Sequence, residues 1–319
     1  MSSNRFHNGA ANGAANGSAN APANASPYAL PSDLAEAIDR ARGRLGRLAT
    51  PTLFFPTIES TNDIALTLAG QGDREGAVVI ADEQTAGRGR RGRAWFSPPG
   101  SGLYVSVVLT PGRARVDPER ATTLLTLTAG VALSEAIERA TALRVDIKWP
   151  NDLLVSRRKL AGILAEAAAP RASRESSSGA ARASGGGAPR AVNSIDDFGY
   201  QVVLGYGINV SATAYPPELG DRATSLETEL GRPVDRVALC IETLASLAGR
   251  YADLLDGRFD AILDAWRARA PGSRGARVTW QAASAPRAGV TAGIDDRGAL
   301  LVRVGDRIER IVAGEITWL

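Results

Sequence analysis

The sequence has 319 residues, of which 44% are hydrophobic and 22% are charged, an ordinary composition for a globular protein of two domains. Its 37 basic and 34 acidic residues leave a formal net charge of +3, which gives no electrostatic reason to expect a dedicated nucleic-acid binder. It contains neither an apolar run long enough to span a membrane nor a signal peptide, so we expect a cytoplasmic protein without membrane contact.

The first half of the chain begins with Asn-Gly-Ala repeats that cannot bury an apolar face, and we expect residues 1–30 to be a disordered tail. Hydrophobic periodicity then predicts helices at 32–49, 61–69 and 118–141, and strands at 53–55, 76–81 and 102–110. Between the last two strands lies a loop rich in arginine and glycine, at about 83–100.

The second half opens with three short predicted strands, at 145–149, 153–155 and 160–167. Residues 170–197 are rich in Ala, Ser, Gly and Arg without periodicity, which is typical of a flexible insertion. A strand at 200–210 and helices at 224–230, 234–254 and 258–269 follow, and after Pro271-Gly272 the pattern predicts four or five short strands. We therefore expect a large domain at 31–270 and a small β-barrel domain at 271–319.

The scarcity of certain residues restricts the chemistry. The chain has one histidine, His7, and one cysteine, Cys240, which lies in an apolar periodic segment typical of core packing. This scarcity excludes Ser-His-Asp triads, disulfides and His/Cys zinc sites, so catalysis must depend on carboxylates, amides, cations, backbone donors or an oxygen-bound metal. Only two of the basic residues are lysines, Lys148 and Lys159.

The Arg/Gly segment, residues 84–97, places four arginines among three glycines directly after a predicted strand. Glycines let backbone N–H groups approach an anion, and arginines bind carboxylate or phosphate with two donors. Taken alone, such a run also fits an RNA-binding or solvated loop. It is not a phosphate-binding P-loop, because no Gly-Lys-Ser/Thr follows it.

Two strands that carry the lysines form a second segment, Lys-Trp-Pro-Asn-Asp at 148–152 and Arg-Lys-Leu-Ala-Gly-Ile-Leu at 158–164. A tight reversal would bring both ammonium groups to one end of a sheet, and Asn151 and Asp152 offer the oxygen ligands that Mg²⁺ prefers. An ordinary hairpin with exposed lysines explains the pattern equally well.

Two shorter segments complete the set. Glu-Ser-Thr-Asn at 59–62 precedes a predicted helix, where Ser60 or Thr61 either caps the helix or offers donors to a ligand. Gly-Ile-Asn at 207–209 places Asn209 inside a predicted strand, where asparagine is a poor strand former and needs a specific partner, unless it marks a bulge or turn.

In this order and spacing, the four segments resemble the catalytic domain of biotin–protein ligases, from about residue 52 to the C-terminus apart from the insertion. The resemblance implies an α+β fold with a mixed, mainly antiparallel sheet and flanking helices, as in class II synthetases. It also implies a small C-terminal SH3-like β-barrel. The implied reaction activates biotin with ATP and Mg²⁺ to biotinyl-5′-AMP and transfers the biotinyl group to a lysine of a biotin carboxyl carrier protein.

The resemblance also implies roles for individual residues. Biotin binding is assigned to Ser60, Thr61, Asn62, Gln84, Arg88, Gly89, Arg90, Lys159 and Gly162. ATP binding is assigned to Arg88, Arg91, Arg93, Trp95, Lys148, Asn151 and Asn209. The catalytic assignments are Lys159, Arg90, Lys148 and Asp152, of which Asp152 is also the candidate Mg²⁺ ligand.

These residue types suit the implied chemistry. Attack of the biotin carboxylate on the α-phosphorus of ATP brings two anions together, and cations and a metal offset their repulsion. No protein nucleophile is required. In the second step the acceptor lysine must lose a proton, to Asp152 or to the leaving phosphate.

Members of the family that act as repressors carry an N-terminal helix-turn-helix domain, for which too few foldable residues precede the implied catalytic domain, so we expect no DNA binding. Both a monomer and a homodimer are compatible with the sequence. The alternatives are a lipoate or octanoate ligase or transferase of the same fold and, in a different class, an Arg/Gly RNA-binding protein.

Overall fold

The computed structural model describes residues 27–168, 201–282 and 285–319. The expected insertion at 170–197 and all but the end of the expected N-terminal tail lie outside these ranges. Within the described ranges, no helix combines the length and the apolar character that crossing a membrane requires.

The helices are α1 (Ser32–Leu45), α2 (Thr61–Ala69), α3 (Pro118–Thr141), α4 (Leu226–Leu230), α5 (Arg236–Leu255) and α6 (Phe259–Arg269). The first seven strands are β1 (Thr52–Ile58), β2 (Val78–Gln84), β3 (Gly102–Leu109), β4 (Asp146–Lys148), β5 (Asp152–Val155), β6 (Arg158–Ala167) and β7 (Val202–Asn209). The last five are β8 (Arg274–Gln281), β9 (Pro286–Ile294), β10 (Leu300–Val304), β11 (Arg307–Ile311) and β12 (Ile316–Trp318). The first helix was expected to reach residue 49, but it ends at Leu45 because Gly46 adopts a φ of 56°.

The first seven strands form one sheet in the order β1-β2-β3-β7-β6-β5-β4. Only β1 and β2 are parallel, and every other neighbouring pair is antiparallel, so the predicted mixed, mainly antiparallel sheet is confirmed. Helices α3 and α5 cover one face, where Val78 and Ile80 of β2 point, and α2 covers the other, where Val79 and Ala81 point. Burial on both faces explains why β3 and β7 are buried along their whole length.

The register of the sheet brings distant parts of the sequence into one row. Lys148 of β4 pairs with Asp152 of β5, Asp152 pairs with Gly162 of β6, and Gly162 pairs with Gly207 of β7. Because residues paired across antiparallel strands lie on the same face, this row aligns a lysine and a carboxylate beside two glycines.

The last five strands form an antiparallel sheet in the order β11-β10-β9-β8-β12, which confirms the predicted C-terminal β unit. Its apolar face shares a core with the large sheet, to which it contributes Leu300 and Val302. Trp149, which is 4% exposed and follows β4, donates its indole N–H to the Gly298 carbonyl oxygen at 3.0 Å. This hydrogen bond connects the β4–β5 hairpin to the C-terminal sheet.

The contribution of the Trp149 hydrogen bond to stability can be measured by comparison with a second buried tryptophan. Trp266 is fully buried, and its indole nitrogen has no hydrogen-bond partner within the described residues. Both W149F and W266F replace an indole by a phenyl ring, but only W149F leaves a buried carbonyl unpaired. We expect W149F to lower the free energy of unfolding by about 1–3 kcal/mol more than W266F in chemical denaturation. An equal or larger loss in W266F would show that the hydrogen bond does not stabilise the fold.

Candidate active site

The N-terminus of α2 forms one end of the site. Ser60, Thr61 and Asn62 are 2%, 4% and 5% exposed. Ser60 stands at the N-cap position, but its hydroxyl makes no capping hydrogen bond and lines a cleft instead. Both the backbone N–H and the hydroxyl of Thr61 donate to Gln84 Oε1, at 2.9 and 3.1 Å. The segment therefore does more than cap a helix, since it orients Gln84 at the start of the Arg/Gly loop.

Gln84 also closes the base of that loop. Its Nε2 donates to Ser97 Oγ at 3.0 Å, and its backbone N–H donates to the Ser97 carbonyl oxygen at 3.0 Å. Inside the loop, the N–H of Trp95 donates to the Gly87 carbonyl oxygen and the N–H of Gly89 donates to the Arg93 carbonyl oxygen. The loop therefore resembles a hairpin, and several backbone hydrogen bonds hold its two sides together.

Asn62 forms hydrogen bonds with Ser106 and Glu166, two residues that were not predicted from the sequence. Asn62 Oδ1 accepts from Ser106 Oγ at 2.5 Å, and Asn62 Nδ2 donates to Glu166 Oε2 at 2.7 Å. A Cβ atom on Gly205 would lie 2.0 Å from Asn62 Oδ1, so only glycine leaves room for this side chain. A polar residue in the otherwise apolar run of β3 was the one available signal for Ser106, and nothing in the sequence marked Glu166.

The arginines of the loop are anchored to different elements. Arg88 contacts Asp63 at 2.7 Å and Glu166 at 3.0 Å. Arg90 donates to Asn151 Oδ1 at 2.9 Å, and Arg93 contacts both carboxylate oxygens of Glu315, at 2.7 and 2.5 Å.

These contacts join the loop to α2, to the hairpin and to the C-terminal sheet. Burial lowers the pKa of Arg90 below its ordinary value, although the guanidinium stays charged because that value is so high.

Trp95 lies on a floor of glycines. A Cβ atom on Gly162 would come within 3.0 Å of its ring and one on Gly207 within 2.4 Å of Nε1, so two adjacent strands are open only because both positions are glycine. The Nε1 atom of Trp95 is buried and has no hydrogen-bond partner in the described part of the chain. Lys159 Nζ stands 5.3 Å from the centre of the ring, within cation–π range.

The two lysines line the same cleft as Asp152, as a tight reversal of the hairpin predicts. Lys159 Nζ lies 2.7 Å from Asp152 Oδ1. Burial lowers the pKa of Lys148, and the Asp152 and Glu315 carboxylates oppose that shift while Lys159 and Arg93 add to it. The site therefore concentrates positive charge with few compensating acids, which suits a polyanionic ligand.

Every residue assigned from the sequence lines one of three adjoining clefts. The first contains Ser60, Thr61, Asn62, Gln84, Arg88, Gly89, Arg90, Trp95, Asn151, Lys159 and Gly162. The second shares Gln84, Trp95 and Lys159 with the first and is mainly apolar, and Asn209 lines it together with Phe96, Ser97, Tyr215, Pro216, Leu219 and Ala223. The third lies between the Arg/Gly loop and β12 and contains Arg90, Arg91, Arg93, Lys148, Asp152, Lys159 and Glu315.

Asn209, a polar residue at the end of strand β7, has a specific hydrogen-bond partner. Its side chain is 4% exposed, and its Nδ2 donates to the Thr224 carbonyl oxygen at 3.0 Å. The amide N–H is thus used to hold the wall of the second cleft. The apolar residues of that wall, Tyr215 to Ala223, were missed because no periodic pattern marks them.

Comparisons with known proteins agree with this architecture. Residues 54–179 match the model of the biotin/lipoate A/B protein ligase family, and residues 288–317 match the biotin protein ligase C-terminal domain. The bifunctional ligase/repressor BirA of Bacillus subtilis is 32% identical over 90% of this chain and 79% of its own length. A biotin–[acetyl-CoA-carboxylase] ligase of Paracoccus denitrificans is 35% identical over 81% of this chain and 96% of its own.

Among solved structures, the biotin protein ligase of Aquifex aeolicus in complex with biotin and ATP superposes with a TM-score of 0.64. It is 25% identical in sequence, and the match covers 84% of this chain and 98% of that one.

We expect the position of the Trp95 ring to depend on the glycine at position 207. G207A should displace the Trp95 ring and loosen the Arg/Gly loop, so that hydrogen exchange at residues 87–97, followed by mass spectrometry, becomes faster. Gly249 lies in α5, where an added Cβ atom would meet no described atom within 4 Å, so G249A is a matched control without a clash. Unchanged exchange in G207A would show that Trp95 does not depend on the glycine.

Proposed function

The chain belongs to the biotin–protein ligase family, and on that premise we propose that it converts biotin and ATP to biotinyl-5′-AMP and then biotinylates a lysine of a carrier domain. The supporting observation is the first cleft, which is lined both by hydroxyl and amide groups from the N-terminus of α2 and Gln84 and by the cations Lys159 and Arg90. This arrangement suits a molecule with a polar, uncharged ring at one end and a carboxylate at the other.

In the proposed first step, an oxygen of the biotin carboxylate attacks the α-phosphorus of ATP and pyrophosphate leaves. Lys159 and Arg90 neutralise the charge where the two anions meet. Lys159 contacts Asp152, and Arg90 donates a hydrogen bond to Asn151. Exchange of these internal partners for ligand oxygens costs little reorganisation, because the side chains already stand in place.

The other two clefts suit the nucleotide. The mainly apolar second cleft, between Phe96 and Tyr215, fits a flat aromatic base. The third cleft fits a chain of phosphates, because Arg91, Arg93 and Lys148 line it. We propose that the catalytic domain at 31–270 supplies the first two clefts and that the small domain at 271–319 completes the third through Glu315.

Mg²⁺ would accompany the phosphates. Within the described residues, no group of three or more His, Cys, Asp or Glu side chains could hold a metal ion. Asp152 is a carboxylate in the third cleft, and one or two carboxylates plus substrate phosphates are the usual Mg²⁺ ligands in proteins. When bound there, Mg²⁺ would neutralise phosphate charge. We propose Asp152 as its one protein ligand.

In the proposed second step, the acceptor amine attacks the acyl carbon of the mixed anhydride and AMP leaves. The amine must give up a proton. Asp152, which lines the third cleft, and the departing phosphate are the two available proton acceptors. We propose a biotin carboxyl carrier protein domain of a biotin-dependent carboxylase as the protein substrate, in the cytoplasm, where ATP is also available.

The two alternatives lack support of this kind. An Arg/Gly RNA-binding protein is not favoured, because the similarity to a biotin ligase extends over 90% of this chain rather than over the Arg/Gly loop alone. A lipoate or octanoate enzyme shares the family model of the catalytic domain, but the C-terminal match is to a biotin protein ligase domain.

Lys159 is the residue on which activation depends most. We expect K159A to reduce biotinyl-adenylate formation by about a hundredfold or more, because the cation nearest the reacting carboxylate is lost. The measurement is biotin-dependent exchange of labelled pyrophosphate into ATP, with an unfolding curve as a check of the fold. Wild-type exchange in a folded K159A variant would remove Lys159 from the mechanism.

Arg90 should act on retention of the intermediate. R90A removes the tie between the loop and Asn151, so we expect the adenylate to escape and to label lysines of a bystander protein such as albumin. R303A is a suitable control, because Arg303 is exposed on β10 of the C-terminal sheet and lines none of the three clefts. If bystander labelling by R90A equals that of R303A and wild type, Arg90 does not retain the intermediate.

A further inference from the structure

A short segment, residues 222–224, lies along the beginning of β6 at Lys159. The Lys159 N–H donates to the Arg222 carbonyl oxygen at 2.8 Å, and the Thr224 N–H donates to the Lys159 carbonyl oxygen at 2.9 Å. These two hydrogen bonds form a parallel bridge between Lys159 and Ala223. The backbone of the proposed catalytic lysine is therefore fixed from one side by this segment.

An ion pair next to Lys159 holds the segment in place. Arg158 donates to Glu229 Oε1 at 2.7 Å, and the hydroxyl of Thr224 donates to the same oxygen at 2.5 Å. The Glu229 side chain is 13% exposed and Thr224 is fully buried, whereas the Arg158 side chain is 34% exposed, so solvent screens the carboxylate less than the guanidinium. Glu229 lies in α4, and it thereby connects α4 and segment 222–224 to the strand that carries Lys159.

The same segment forms a wall of the second cleft, because Ala223 lines that cleft together with Tyr215, Pro216 and Leu219. Neither Arg158 nor Glu229 lines it. Loss of the ion pair would leave Thr224 and the wall held only by backbone hydrogen bonds and by Asn209. The width of the second cleft would then vary, while the Lys159 side chain would keep its contact with Asp152 and the N-terminus of α2 would keep its hydrogen bonds to Gln84.

We propose that Arg158 and Glu229 are positioning residues for the nucleotide, which set its affinity through segment 222–224 without touching it. The proposal rests on the proposed function in one respect, namely that the second cleft receives the base of ATP. A purely structural role would differ in its effect, because general destabilisation would weaken the binding of both substrates.

The test compares E229Q with E218Q in the full-length chain. Glu218 lies on the same stretch of chain, but it is exposed and outside the clefts, so E218Q makes the same chemical change without breaking the pair. We expect E229Q to raise the KM for ATP and the Kd of a non-hydrolysable ATP analogue by about tenfold, the size of effect expected for a charged hydrogen bond. The KM for biotin should change less than twofold, and E218Q should match the wild type.

A double-mutant cycle tests whether the two residues act together. If they form one unit, R158A/E229A should raise the KM for ATP no more than either single variant does. Unchanged ATP affinity in E229Q, additive effects in the cycle, or an equal rise in the KM for biotin would each overturn the proposal. A wild-type protein that forms no biotinyl-adenylate would instead contradict the proposed function, and the analogue titration would still decide on the positioning pair.

Discussion

The concentration of positive charge around Asp152 is the constraint on which the site depends. Lys148, Lys159, Arg90 and Arg93 share one cleft with Asp152 and Glu315. Holding an ammonium group in this partly buried place is unfavourable, because burial lowers the pKa of Lys148. A polyanionic ligand would supply compensating negative charge. The site thus already holds the positive charge that is needed to neutralise a carboxylate and a triphosphate when they come together.

The register of the sheet and two of its glycines leave room for these charged side chains. The row that runs from Lys148 through Asp152 to Gly162 and Gly207 places the charges beside an open strip of sheet. Trp95 fills part of the strip, and it lines both the first cleft and the second. The Arg/Gly loop can approach the sheet closely because the strands beneath it carry no side chains at these two positions.

Much of this could be predicted from the sequence, because local patterns carry the information. Periodicity located the helices and strands, and the rarity of lysine singled out Lys148 and Lys159. Contacts between distant segments left no such pattern. The partners Glu166, Glu229 and Glu315 depend on how strands and the C-terminal sheet meet in three dimensions, and an acidic residue on a strand or short helix is common. The sequence also could not show that the side-chain amide of Asn209 donates a hydrogen bond to the Thr224 carbonyl oxygen in the wall of the second cleft.

The central claim is that these clefts activate biotin, and the most direct test is adenylate formation measured by mass spectrometry. ATP would be supplied together with biotin, lipoate or octanoate in parallel reactions. We expect biotinyl-adenylate to form and no adenylate of the other two acids. Adenylate formed only from lipoate or octanoate would contradict the assignment of the first cleft, and no adenylate with any acid would contradict the proposed reaction itself.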